Sequence, residues 1–356
     1  MQNSQRGVVI DCARQSIPTI EFPTDNFMQA LIVTRYGSPD VLRIAEVETP
    51  VPSENEILIR VHATTVTTAD TMMRRADPFI ARFFLGFSKP KKPIPGTGFS
   101  GVVEAVGANV SNFQPGDAVF GETGVEFSAN AEYISLAEDH LLLPKPAGLS
   151  HVEAAPICDG PLTAKNFLSR LATLQQGQTI LINGAAGSIG TAAVQLAKHA
   201  GAEVTGVCSG RNTDFVTSLG ADHVIDYTQR DFTTTGATYD VIFDTVGKSS
   251  YGRCKRALAP DGAYISPVLS LPLLGQMLWT AKFSRKKAKF DATGLLPVPE
   301  QRTLLDEILP LYASGEMRTI IDRTYSLQEA VEAHRYVDTG HKRGSVVLEL
   351  VPETAL

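Results

Sequence analysis

Cysteine is scarce, with four in 356 residues, and tryptophan occurs once. Cys12, Cys158, Cys208 and Cys254 are scattered without a C-x-x-C pair. Neither a disulfide framework nor a structural zinc site is expected, and reduced thiols in a cytoplasmic protein are the simplest reading. Long apolar runs are missing too. The nearest, 265–279, is interrupted by Pro267 and Pro272 and falls short of the roughly 18–20 residues needed to cross a bilayer. Excess positive charge is also absent: 32 Lys and Arg face 38 Asp and Glu, a balance of −6. That leaves no basic stripe for a nucleic-acid backbone, so no nucleic-acid partner is expected.

What is present is an ordinary globular mixture, 43% hydrophobic and 20% charged. At roughly 150 residues per domain, the length fits about two domains. Residues 1–27 precede a second methionine, Met28, and lack the apolar core of a secretory signal. They carry Asp11, Glu21 and Asp25, which a mitochondrial presequence tends to avoid. They read as an extension outside the main fold, with organelle import as the alternative.

From Met28 to about Pro146, short β-branched runs alternate with Gly and Pro, as in 30–34, 57–62 and 116–121. The texture changes near Ser150, where Ser150 and Glu153 have capping-box spacing and predict a helix start. Strand and helix then alternate through 180–183, 189–200, 203–208, 240–246 and 263–266, the pattern of βαβ units and a parallel sheet. A second change comes near Thr293, followed by a predicted helix over 299–314 and an apolar strand over 345–350.

Gly184-Ala185-Ala186-Gly187-Ser188-Ile189-Gly190 follows a strand and opens a helix. In the dinucleotide register it reads Ala185-x-Gly187-x-x-Gly190, with alanine in the first glycine's place. The middle glycine lets a pyrophosphate approach the backbone, the third permits close helix–strand packing, and the helix N-terminus offers N–H groups to the phosphate. At the end of the second strand, where NAD binders usually carry Asp or Glu, the chain has Ser209-Gly210-Arg211. A serine hydroxyl and a guanidinium suit a 2′-phosphate, so NADP(H) is the expected cofactor.

NGAAGSIGTAAVQLAK, GADHVIDY and YDVIFDTVG, with YGSPDVL and PIPGTGFSGVVEAVG, resemble the medium-chain dehydrogenase/reductase superfamily. They are most similar to its zinc-free quinone oxidoreductase (zeta-crystallin-like) branch, over residues 28–350. The resemblance implies an α/β protein with a GroES-like β-rich catalytic domain, 28–150 and 293–356. A doubly wound Rossmann domain, 151–292, would bind NADP(H). It also implies that Tyr227 lies beside the adenosine phosphate with Ser209 and Arg211, and that Thr163 approaches the nicotinamide carboxamide. Val246 and Ser345 join the nucleotide contacts on the same ground. Relatives further imply a homodimer formed at the Rossmann sheet edge.

Zinc members of the superfamily hold a catalytic metal at positions that match Thr67, Thr97-Gly98 and Asp159 here. Of these only Asp159 could be a ligand, whereas a catalytic zinc needs about three; no metal is expected. Many zinc-free members carry Asn, an acidic residue and Lys where Thr67, Gly98 and Ser345 stand here, so this chain departs from the branch at these three sites. Without a metal, the accessible reaction is hydride transfer from NADPH to a quinone or an α,β-unsaturated carbonyl, with Thr67 and Thr163 as candidate donors to the developing oxyanion. A nucleotide-binding redox sensor or structural protein with little turnover is the alternative. Lys282, Arg285, Lys286, Lys287 and Lys289 follow the apolar stretch 271–279. Membrane-surface attachment is one reading of them; a solvated loop beside a subunit contact is the favoured one.

Overall fold

The computed structural model describes residues 26–352 apart from 78, 80 and 81. Nearly all of the expected N-terminal extension, with Cys12, lies outside the described residues. An antiparallel pair, β1 (Phe27–Val33) and β2 (Leu42–Glu48), precedes the long strand β3 (Glu56–Val66). Helices α1 (Thr68–Arg75) and α2 (Arg82–Leu85) follow. Next come β4 (Gly98–Val106), β5 (Ala118–Glu122), β6 (Tyr133–Ala137) and β7 (Leu142–Pro144). β3 is long enough to serve several partners: β4 along one edge, and on the other β6 at its start and a C-terminal strand at its end.

The predicted helix start is where the spacing puts it. Ser150 Oγ accepts from the Glu153 N–H at 3.1 Å, and the Ser150 N–H donates to Glu153 at 2.9 Å. The helix α3 (His151–Ala154) is only a turn long, and α4 (Gly160–Asn166) takes over after a break. A parallel sheet follows: β8 (Thr179–Asn183), α5 (Ser188–His199), β9 (Glu203–Cys208), α6 (Thr213–Ser218), β10 (His223–Asp226), β11 (Tyr239–Asp244), α7 (Tyr251–Cys254), β12 (Leu258–Ile265), α8 (Leu271–Phe283) and β13 (Lys287–Lys289). Spatial order is β10-β9-β8-β11-β12-β13, the doubly wound order in which the chain reverses between its first and fourth strands. Both faces are buried, as an all-parallel sheet requires. Ile180, Ile182, Val204 and Phe243 pack with α4 and α5 on one face, and Leu181, Val207 and Ile242 pack with Tyr251 and Leu273 on the other.

The remaining elements are α9 (Val298–Ser314), β14 (Ile321–Ser326), α10 (Ala330–Asp338) and β15 (Ser345–Glu349). Leu304, Leu305 and Ile308 of α9 share the apolar cluster of the parallel sheet. β15 returns to the antiparallel sheet beside β3, with Val346 opposite Val66, and β14 lies parallel to β15.

The apolar stretch 271–279 is helical despite Pro272, because that proline occupies the first turn, where a missing N–H costs nothing. Ser270 Oγ accepts the Leu273 N–H at 3.3 Å. The basic run behind α8 is largely engaged. Arg285 pairs with Asp261, Lys286 Nζ donates to the Leu258 carbonyl at 2.7 Å, Lys287 Nζ to Thr280 at 2.9 Å and Lys289 Nζ to Leu171 at 2.6 Å.

α10 fixes α1. Arg74, 1% exposed, pairs through Nη2 with Asp338 at 2.5 Å, and Arg75 reaches the same carboxylate at 2.9 Å. Beneath them His334 is fully buried with neither ring nitrogen partnered. Burial, then the charge of Arg74, pushes its pKa down from 6.5 to about 3. The folded state therefore binds fewer protons than the unfolded chain between those values, and stability falls as pH drops through that window. In His334→Leu, denaturant-derived stability is expected to lose up to about 1.4 kcal/mol less per pH unit than in the wild type between pH 6 and 4. Parallel slopes for the two proteins would overturn this.

Candidate nucleotide and acceptor site

The turn between β8 and α5 lies at the carboxyl end of β8, where the flanking strands β9 and β11 lead to opposite halves of the sheet. In open α/β sheets that crevice is where ligands bind. Gly187 caps α5 without a side chain, leaving the N–H groups of the first turn free for an anion. A Cβ on Gly187 would meet nothing nearer than the Gly184 carbonyl at 3.5 Å, so its face is open. A Cβ on Gly190 would lie 2.1 Å from that same carbonyl, so close packing of helix and turn requires glycine. Ala185 and Ala186 are buried beneath the turn, Ile189 is half-buried, and the side chains of Thr245 and Val246 close on Gly184. The residues present fit a dinucleotide pyrophosphate.

Ser209, Arg211 and Tyr227 meet at the ends of β9 and β10, where the Tyr227 N–H donates to the Cys208 carbonyl at 3.1 Å. Tyr227 is 54% exposed, and Arg211 is exposed with Nη2 at 3.5 Å from the His341 carbonyl. This end is not free of carboxylates, however. Asp226 from the neighbouring strand has Oδ2 2.6 Å from where a Gly210 Cβ would be. Its other oxygen accepts from the Thr228 N–H and hydroxyl at 2.9 and 2.8 Å, which holds it below the usual carboxylate range.

Ser345 reaches the phosphate turn from β15. Its Oγ is 2.9 Å from Ser188 Oγ, and the Gly344 N–H donates to the Ala186 carbonyl at 2.8 Å. Ser188 also hydrogen-bonds Asp159, which precedes α4. Burial raises the Asp159 carboxyl, against the opposing charge of Lys342. Thr163 is half-buried one turn into α4, with its N–H on the Asp159 carbonyl at 3.0 Å.

Across the cleft, Thr67 caps α1. Its N–H and Oγ–H donate to Asp70 Oδ2 at 2.8 and 2.7 Å, and its Oγ accepts the Asp70 N–H at 3.1 Å. Burial pushes Asp70 up to about 6 in spite of these bonds. Glu122, at the end of β5, is pushed to about 8 by burial and then by the charges of Asp159 and Asp70, while a hydrogen bond from Thr97 opposes the shift. Among the described residues no three His, Cys, Asp or Glu side chains are placed to hold a metal ion. Asp70, Glu122 and Lys342 were not singled out by the sequence. Asp70 had a visible signal, since Thr67-x-x-Asp70 has capping-box spacing; Glu122 and Lys342 depend on contacts remote in the chain.

The two glycines of the turn separate binding from folding. Gly187→Ala is expected to leave stability within about 0.5 kcal/mol while weakening binding of a reduced nicotinamide dinucleotide at least about tenfold, because its methyl enters the anion's space. Gly190→Ala is expected to lower both, because its methyl meets backbone. Equal thermal shifts in the two variants, or unchanged fluorescence titrations with NADH and NADPH for Gly187→Ala, would contradict the assignment.

Two family models match, the alcohol dehydrogenase GroES-like domain over residues 53–149 and the zinc-binding dehydrogenase model over 219–348. A chloroplastic quinone oxidoreductase of Triphysaria versicolor is 30% identical over 334 residues, covering 90% of this chain and 98% of its own. A 2-methylene-furan-3-one reductase of Solanum lycopersicum is 29% identical, covering 96% and 83%. The solved quinone oxidoreductase of Coxiella burnetii superposes with a TM-score of 0.81 at 31% identity, covering 91% of this chain and 99% of that one. The protein is an oxidoreductase of the nicotinamide nucleotides and belongs to the medium-chain dehydrogenase/reductase superfamily, in its quinone oxidoreductase branch.

Proposed function

We propose that the protein is an NADPH-dependent reductase of quinones or α,β-unsaturated carbonyl compounds that works without zinc. The observation that carries this reading is the anion-binding turn opening onto a cleft of threonines and proton-holding carboxyls. Thr67, Thr97 and Gly98 stand where zinc relatives place ligands, and none of them binds zinc well. The bound nucleotide supplies the hydride. The chain's part is to align the acceptor, keep water away and offer donors where negative charge develops. We assign the turn 185–190 to the pyrophosphate, with Val246 and Ser345 beside it, Ser209, Arg211 and Tyr227 to the 2′-phosphate, and Thr67 and Thr163 to the reacting end. Reduction also consumes a proton. Glu122 retains one to about pH 8 beside Thr97, which makes it the proton store of this reading.

We divide the chain into a catalytic unit of 28–150 with 321–352 and a nucleotide unit between them, a boundary later than the expected 293, because α9 packs with the parallel sheet. The compartment proposed is the cytoplasm; Cys158, Cys208 and Cys254 are buried free thiols, which suits reducing conditions. No helix among the described residues is long and apolar enough to cross a membrane. A homodimer is also part of the proposal. Leu271, Leu278, Trp279 and Phe283 of α8 are 87, 71, 54 and 66% exposed beside the edge strand β13, and a second copy would cover them. Lys286, Lys287 and Lys289 are turned onto backbone carbonyls of the chain itself and Arg285 is paired with Asp261, so the solvated-loop reading beside a subunit contact is kept ahead of the membrane one for this run.

Menadione and 1-octen-3-one should be reduced with NADPH after exhaustive chelation. Arg211→Ala should lower kcat/KM for NADPH at least about tenfold and leave NADH nearly unaffected. Tight NADPH binding with no turnover on either acceptor would favour the sensor reading instead. With the enone, kcat should fall as pH rises through about 8, where Glu122 loses its proton, and Glu122→Gln should abolish that break. Leu278→Glu should convert a dimer to a monomer in light scattering; a monomeric wild type would refute the dimer.

A further inference from the structure

The stretch 82–92 carries Arg82, Lys89, Lys91 and Lys92 and no carboxylate, in a chain whose balance is −6. Around it Phe79, Phe83 and Phe87 are 60, 68 and 67% exposed. Single exposed apolar side chains are ordinary, but three of this size within 79–87 are not. The stretch is held by the fold. The Tyr36 hydroxyl donates to the Gly86 carbonyl at 2.6 Å, and the Lys91 N–H donates to the Leu85 carbonyl at 2.8 Å. The Arg82 guanidinium lies 4.9 Å from the ring centroids of both Tyr36 and Phe79, and Phe79 meets Phe87 edge to face at 6.3 Å. Cation and rings thus brace one another while most of each phenylalanine stays in water. Lys89 and Lys91 are exposed and enter no ion pair among the described residues, unlike Arg285 with Asp261 behind α8. Lys92 does pair with Glu126, but both are exposed, and such a pair exchanges readily for another anion. Asp77, also exposed, is the acid that precedes the phenylalanines.

Whatever covers this face must bring negative charge and an apolar layer together. A second copy using the same face would set four cations against four, because a two-fold contact pairs a patch with itself. An anionic bilayer supplies both, a layer of phosphates above hydrocarbon. From these observations we propose that 82–92, with Phe79, docks the protein peripherally on an anionic lipid bilayer. The phenylalanines enter the boundary between headgroups and acyl chains, and Lys89 and Lys91 meet lipid phosphates. The remainder of the chain carries net negative charge and is repelled from that surface, which favours one orientation. The attachment is reversible, since no helix among the described residues is long and apolar enough to cross a membrane.

The test is flotation of the full chain with vesicles of phosphatidylcholine, either alone or with about 30% phosphatidylglycerol. Binding should be at least about tenfold stronger on the anionic vesicles and should weaken as salt rises. Lys89→Glu with Lys91→Glu, and separately Phe83→Gln with Phe87→Gln, should each lower it at least about fivefold. All four positions are exposed, so melting temperatures within about 2 °C of the wild type should show that both double variants fold. Lys282→Glu, on the exposed side of α8, should leave flotation within about twofold. No flotation with anionic vesicles, equal binding to both kinds, or binding that survives either double variant would overturn the docking surface. A loss confined to Lys282→Glu would place attachment on α8 and overturn it too. A smaller mass for Phe83→Gln with Phe87→Gln in vesicle-free light scattering would make this face a contact between copies and overturn the lipid assignment.

Discussion

Two residues, Gly344 and Ser345, stitch the sheets together, and the cleft depends on that stitch. The Gly344 N–H donates to the Ala186 carbonyl, and the Ser345 N–H donates to the Ile320 carbonyl, both at 2.8 Å. Gly344 has φ of +84°, and a Cβ there would lie 2.2 Å from the Ile320 carbonyl. Only glycine can hold that conformation at that distance. From this point β15 runs into the antiparallel sheet beside β3, so the nucleotide turn and the strand preceding Thr67 belong to one hydrogen-bonded framework. The turn and Thr67 are therefore positioned by backbone rather than by flexible side chains, the arrangement that holds a geometry most firmly.

That framework brings like charges together. Asp70 and Glu122 come from the antiparallel side and Asp159 from the α4 side, and each raises or is raised by another. In a low-dielectric cleft three ionised carboxylates would repel strongly, and the cheaper solution is to keep some of them protonated. Lys342 offsets only part of the charge, because burial also disfavours its ammonium form. The result is a group of carboxyls that hold protons closer to neutrality than isolated ones do. An isolated carboxylate on the protein surface could not do this, since it would ionise well below neutral pH.

Much of the architecture was legible because it is written locally. The alternation of strands and helices after Ser150, the glycine turn at 184–190 and the capping box at Ser150 all depend on residues within a few positions of one another, and the structure shows each. A helix over 299–314 was also expected, and α9 covers it from Val298 although Pro310 lies inside. What escaped was of two kinds. α8 was hidden by Pro267 and Pro272, which read as interruptions although Pro272 sits where a helix tolerates proline. The acidic cleft was hidden by distance: Glu122 is written as the polar end of an apolar strand, and nothing in AVFGE tells that Asp159 will face it. The same holds for Ser188 and Ser345, 157 residues apart yet bonded through their hydroxyls. Asp226 shows the limit of strand-end reasoning, since the carboxylate near the Ser209 end came from the adjacent strand.

The loop before Gly344 extends the stitch to the adenosine side. His341 offers its carbonyl to Arg211 at 3.5 Å, and the Arg343 guanidinium lies 5.8 Å from the Phe215 ring centroid. Lys342 Nζ donates to the Gly344 carbonyl at 2.9 Å and is attracted to Asp159. One hexapeptide, 339–344, thus touches the 2′-phosphate candidates, the phosphate turn and the acidic cleft. Arg211 rests on the same loop whose lysine tempers Asp159. The residues at the end of β9 and the buried carboxyls are in this way tied to a single short segment by contacts of its backbone and side chains.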